Sequence, residues 1–227
     1  MSGELRFMSY LGFVFFSTLE NLSFVIFVLS LFRFSLQENL LKFGVFSVVL
    51  SLVSNSLQTE SLQAVSALIQ AVILVCFVAF LLRIHIFNSM IMVITGYVIN
   101  YIVQWVTIIG VIHFTGHTEI EPYTTESFVI QSISSLMMLL ISLFIHWQKG
   151  GFSFIDHQSR SKRSKIFVKE NRPLFLLITF SVILTFAANF LLYRSSKPPY
   201  LMISILLFVA LIGLMFLCLQ RDAKDNG

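Results

Sequence analysis

Seven apolar stretches, each bounded by polar or charged residues, recur along this chain at residues 10–32, 43–57, 62–82, 89–114, 128–147, 174–193 and 201–219. A helix rises about 1.5 Å per residue, so roughly 20 apolar residues cross the ~30 Å hydrocarbon layer of a bilayer. All but the second stretch reach or approach that length. With hydrophobic residues at 57%, charged residues at 11% and 25 Phe in 227 residues, the chain has too little polar surface to enclose a core in water. The expectation is an all-α polytopic transmembrane bundle, a single integral membrane domain spanning residues 1–227.

Residues 149–173 carry seven of the 15 basic residues: Lys149, Arg160, Lys162, Arg163, Lys165, Lys169 and Arg172. Short loops rich in Lys and Arg stay in the cytoplasm, so this loop orients every other segment. With seven spans its side holds twelve positive residues and the other side three, Arg6, Arg194 and Lys197. Dropping the short second span weakens that bias to ten against five, which argues for keeping it. The expected topology is N-terminus outside and C-terminus cytoplasmic, in a multi-pass protein of the cell membrane, and the short loops fit a bacterial plasma membrane. Only Arg6 precedes the first run as a positive charge, and no small-residue cleavage site follows, so the first helix is expected to persist. The outer face is then mildly acidic through Glu60, Glu119, Glu121 and Glu126. The net charge of +4 and pI near 9.2 come from one loop and from helix ends, and no interleaving of aromatic and basic residues suggests a nucleic-acid surface.

Polar residues inside the spans are the candidates for chemistry. Glu20 and Asn21 sit near the centre of the first span, where an ionised carboxylate costs at least about 2.5 kcal/mol unless paired or neutralised. The fourth span offers a counterpart: Gly96, Asn100, Gln104 and Thr107 fall on one helical face. Gln63, Ser66 and Gln70 repeat the pattern in the third span, and Ser181, Thr185 and Asn189 in the sixth. Together these residues could line a polar interior cavity. They could equally act as packing contacts, since small and amide residues commonly join helices in lipid. The basic loop, above all Arg160, Lys162, Arg163 and Lys165, could meet anionic lipid or a cytoplasmic partner, although a role in fixing topology already accounts for it.

Other combinations are weaker. His113, His117, Glu119 and Glu121 lie close in sequence, but the first two share a face only if a helix continues through Gly116, and no metal site is expected. Cys76 and His85 are nine residues apart, on partly different faces of one helix, which does not build a thiolate nucleophile. Metalloprotease, nucleophile-elbow and phosphate-loop motifs are absent from the sequence. No enzyme activity and no cofactor are expected. Cys76 and Cys218 both lie in apolar runs and read as small packing residues rather than a disulfide framework.

The N-terminal segment FFSTLENLSFVIFVLSLFRFSLQENLLKFGVFSVVLSLVSNSL resembles the start of the membrane sensor region of Agr-type peptide-pheromone histidine kinases. The similarity rests on Leu19-Glu20 inside the first helix, Phe32-Arg33 closing it, and a serine-punctuated second helix. The resemblance implies a bundle of six or seven helices that detects a secreted peptide and passes the signal to a cytoplasmic kinase. The chain departs from such kinases after the last span, where only residues 220–227 follow and no kinase domain is present. The reading is therefore a receptor or sensor module acting through a separate cytoplasmic kinase or another membrane subunit, or the membrane part of a longer protein. A small transporter or a non-catalytic assembly or immunity protein are the alternatives. Glycine-broken helices are hinted at only by Gly96 and Gly110, and small-residue stripes only by Ala210 and Gly213.

Overall fold

The computed structural model describes residues 3–58, 65–116, 123–155, 172–194 and 200–226. Among them the chain is helical almost throughout: α1 (Gly3–Leu31), α2 (Leu36–Ser56), α3 (Ser66–Leu82), α4 (Ile86–Thr115), α5 (Thr125–Trp147), α6 (Arg172–Arg194) and α7 (Tyr200–Asn226). Helix is the natural outcome of such apolar runs, because it satisfies every backbone group within its own segment. The boundaries are set by polar residues. His85 Nδ1 accepts from Phe87 N (3.3 Å) and Thr124 Oγ1 from Ser127 N (3.3 Å), so each caps a helix N-terminus.

Five of the helices, α1, α2, α4, α5 and α7, carry windows long and apolar enough to cross a bilayer, with mean hydropathy from 1.4 to 2.2. That is compatible with a membrane protein. Helix α3 and the fully described part of α6 are apolar but shorter. Helix α2 begins at Leu36, a full turn and more before its apolar run, because Asn39 Nδ2 donates to Ser35 O (2.8 Å) and Glu38 lies in the first turn.

Large apolar side chains cover the outside of the bundle as well as filling its core. Leu41, Val45, Val48 and Val49 of α2, Leu136, Leu140 and Leu143 of α5, and Phe208, Val209, Ile212 and Phe216 of α7 face outward. Ser23, Ser30, Ser47, Ser51, Ser54, Ser134, Ser135 and Ser142 are buried instead. Small hydroxyl side chains let the backbones approach and then hydrogen-bond across the interface. Ser30 and Ser142 pair Oγ to Oγ at 2.6 Å between α1 and α5, Thr18 donates to Ser51 at 2.8 Å between α1 and α2, and Ser89 donates to the Val75 carbonyl at 2.6 Å between α4 and α3.

Helix α4 is the hub. It contacts α1, α3, α5, α6 and α7, and 72% of its apolar window lies inside the bundle, against 22% to 50% for the other four. At Gly96 it meets α1 so closely that an added Cβ would lie 2.5 Å from Val28 Cγ2 and 3.0 Å from Phe24 Cζ.

Arg33, Arg83, Lys149 and Arg221 gather at one end. Arg33 donates to the Lys149 and Gly150 carbonyls (2.8 and 3.0 Å), joining the end of α1 to the end of α5. Arg33, Arg83 and Lys149 all have positive φ (56°, 53° and 52°), so three helices end on a left-handed basic residue where glycine is usual. The cations lie where helix dipoles favour them. Part of the basic loop turns back into the bundle after Lys149: Phe152, Phe154 and Ile155 are buried, and Phe32 contacts both phenyl rings at centroid separations of 5.6 and 6.2 Å. Gly151 makes this turn possible with φ 97°, since a Cβ there would lie 2.6 Å from the Leu31 carbonyl. Asp222 of α7 then holds the segment by accepting from Ser153 N, Ser153 Oγ and Phe154 N at 2.7, 2.9 and 3.0 Å. Arg221 lies over the rings of Phe154 and Phe87.

Candidate functional site

A polar cavity of about 190 Å³ lies between α1, α2, α3, α4 and α5, on the far side of the Gly96 contact from the basic end. Six residues singled out from the sequence, Glu20, Asn21, Ser66, Gln70, Asn100 and Gln104, all line it. Helical periodicity explains the convergence. Glu20 and Asn21 are one turn from Phe24, which packs on Gly96, and Asn100 and Gln104 follow Gly96 at one and two turns.

Side-chain amides and hydroxyls surround a single carboxylate, Glu20. Gln104 Nε2 donates to Glu20 Oε1, which ties α4 to α1 across the cavity. Gln70 Nε2 donates to Ser54 Oγ (3.2 Å) and ties α3 to α2. Gln58 Oε1, Asn100 Oδ1 and Gln131 Oε1 are buried without a hydrogen-bond partner among the described residues. A buried amide oxygen left unpaired costs about 1–3 kcal/mol, so three of them around one carboxylate favour a guest that brings N–H or O–H donors.

Several members of this cavity were not singled out from the sequence. Gln131 of α5 was a visible signal, an amide inside an apolar span. Tyr97 and Tyr101 join Asn100 and Gln104 as a stripe at i, i+3, i+4 and i+7, which the 96, 100, 104, 107 pattern bypasses. Tyr97 contacts Phe24 at 5.0 Å between ring centroids. At the rim, the Tyr123 phenol donates to Asn55 Oδ1 (2.9 Å), and partial burial, with a smaller contribution from Tyr10, pushes its pKa above the ordinary tyrosine value.

Other expected members lie elsewhere. Thr107 donates to its own helix at the Val103 carbonyl, as Ser181 does at Leu177. Thr185 lines an apolar cavity instead. The side chain of Asn189 lies outside the described residues, as do Gln63, His117, Glu119, Glu121 and the loop residues Arg160, Lys162, Arg163 and Lys165. His113 is exposed near Phe114 at the end of α4, and His85 serves as the α4 cap. Among the described residues no group of three His, Cys, Asp or Glu could hold a metal ion.

Set against known protein families, curated proteins and solved structures, the chain has no match in any of the three.

Proposed function

We propose that the protein is a multi-pass receptor or sensor module of a cell membrane, with seven spans, its N-terminus outside and its C-terminus in the cytoplasm. The basic end would be cytoplasmic by the distribution of Lys and Arg. In that orientation the polar cavity belongs to the outer half, and the observation that carries the reading is the way it stops. At Gly96 the helices α1 and α4 close on each other through Phe24 and Val28, leaving no room for even one added carbon. A polar site that stops at this contact between α1 and α4, and whose neighbour between α3, α4 and α6 is apolar, suits recognition of an extracellular peptide or small ligand better than passage of a polar solute.

A route to the output follows from the connections of α1. Its outer half supplies Glu20 to the cavity, and its last turn holds Phe152 N through the Leu31 carbonyl (2.7 Å) and the end of α5 through Arg33. Ligand-dependent movement of α1 against α4 would therefore reach the segment 150–155 and, through Asp222, the end of α7. Such a shift needs only a difference in ligand affinity between two packings. The output would pass to a separate cytoplasmic kinase or membrane subunit, as the resemblance to peptide-pheromone sensors suggests.

The test is hydrogen exchange on the full chain in nanodiscs. Glu20→Gln and Asn100→Leu, both in the cavity, are expected to change amide exchange at residues 150–155 while leaving the protein folded. Unchanged exchange there in both variants would contradict the coupling and return the weight to a solute pathway or a packing subunit.

A further inference from the structure

The polar cavity has an apolar neighbour. About 330 Å³ of space lies between α3, α4 and α6, lined among others by Ala71, Val75, Cys76, Met90, Ile94 and Val182. Two residues line both spaces, Ala67 of α3 and Tyr97 of α4. Alanine is a small side chain at this shared wall, and tyrosine combines an apolar ring with a polar hydroxyl, as suits a boundary between apolar and polar space. At 190 Å³ the polar cavity alone is smaller than the roughly 300–1,000 Å³ of ordinary small-molecule sites, and it falls within that range only when joined to its neighbour.

We propose that the two cavities form one site for a single-chain amphiphile whose head carries N–H or O–H donors. The head lies against Glu20, Gln58, Asn100 and Gln131, whose oxygens match its donors. The aliphatic chain passes Tyr97 and occupies the space between α3, α4 and α6. This inference rests on the polar cavity being the ligand site and adds the chemistry of the ligand. An anionic head, such as a carboxylate or sulfate, would meet the Glu20 carboxylate and be disfavoured by like charge.

The test uses the full chain in phosphatidylcholine nanodiscs with two photoreactive C16 probes carrying a diazirine on the chain, one an alkylamine and one an alkyl sulfate. The amine is expected to label the stretch around Cys76, Met90 and Val182 saturably, and the sulfate at least about tenfold less, as follows from losing hydrogen bonds to buried acceptors. Asn100→Leu should reduce the amine labelling by a similar factor, and Ala71→Trp, which fills the apolar space, should abolish it. Thermal unfolding of both variants checks that they are folded. Equal labelling by the two probes, or labelling indifferent to Asn100→Leu, would overturn the proposal, because the apolar space would then hold bilayer chains only.

A series from propylamine to hexadecylamine separates this inference from the reading beneath it. Thermal stabilisation that depends on Asn100 and grows with chain length supports the joined site. Asn100-dependent stabilisation without chain-length dependence would overturn the joined site and leave the polar cavity as a ligand site. No Asn100-dependent stabilisation at any length would overturn both.

Discussion

Gln104 of α4 donates its side-chain amide to the Glu20 carboxylate of α1, and this bond joins the two helices directly above the point where Gly96 lets them touch. Gln104→Leu removes the donor and leaves the carboxylate in place, at an expected cost of about 1–3 kcal/mol. Glu20→Leu combined with Gln104→Leu removes both partners and should cost less than the sum of the single changes. A double-mutant cycle on unfolding in detergent measures the difference, and strictly additive effects would contradict the bond.

Gly96→Ala forces a methyl group against Val28 and Phe24, whose branched and aromatic side chains have little room to yield. Overpacking of this kind costs about 1–3 kcal/mol. Gly44→Ala is the control, since a Cβ at Gly44 meets nothing within 4 Å, and replacing a helical glycine by alanine gains about 0.5–1 kcal/mol. Opposite signs in thermal midpoint are expected for the two alanines.

The left-handed basic residues at the ends of α1 and α3 make a second contrast. Arg83→Gly relieves a backbone conformation that costs an L-residue about 1–2 kcal/mol and loses a helix-dipole contact of about 0.3–1 kcal/mol, so it should be neutral to stabilising. Arg33→Gly relieves the same conformation but loses two hydrogen bonds to the end of α5, and it should fall below Arg83→Gly in midpoint.

Asp222→Ala leaves Ser153 N and Phe154 N without the carboxylate that holds them. Hydrogen bonds to a charged group contribute about 1.5–3 kcal/mol, so faster amide exchange at residues 152–155 is expected, with Asp222→Asn intermediate because its amide oxygen still accepts. Wild-type exchange in Asp222→Ala would mean that the buried phenylalanines alone hold the segment.

Much of this was legible in the sequence, for physical reasons that differ by region. Apolar runs of spanning length leave helix as the only economical backbone, so the helices fall close to the runs, and amides or acids inside them stand out as Glu20, Asn100 and Gln104 did. Gln131 carried the same signal and was passed over, whereas Tyr97 was harder to see, because an aromatic in a span also suits packing against lipid or a neighbouring helix. The segment 150–155 was hidden by its neighbours. Its two phenylalanines sit in a stretch whose lysines and arginines read as a solvated loop, and only tertiary contacts with Phe32 and Asp222 reveal that they are buried against α1 and α7. Which of the serines and threonines bond across helices and which bond back to their own turn, as Thr107 and Ser181 do, depends on neighbours that sequence spacing does not identify.

The central claim is a polar ligand site in the outer half of the bundle, reached from outside, with the basic end in the cytoplasm. Substituted-cysteine labelling with a membrane-impermeant maleimide tests it most directly, in a Cys76→Ser background where the remaining Cys218 is buried. Asn21→Cys, in the cavity, should be modified in intact cells, and Gln148→Cys, exposed at the basic end, only after permeabilisation. Modification of Gln148→Cys in intact cells, or of Asn21→Cys only after permeabilisation, would contradict the account.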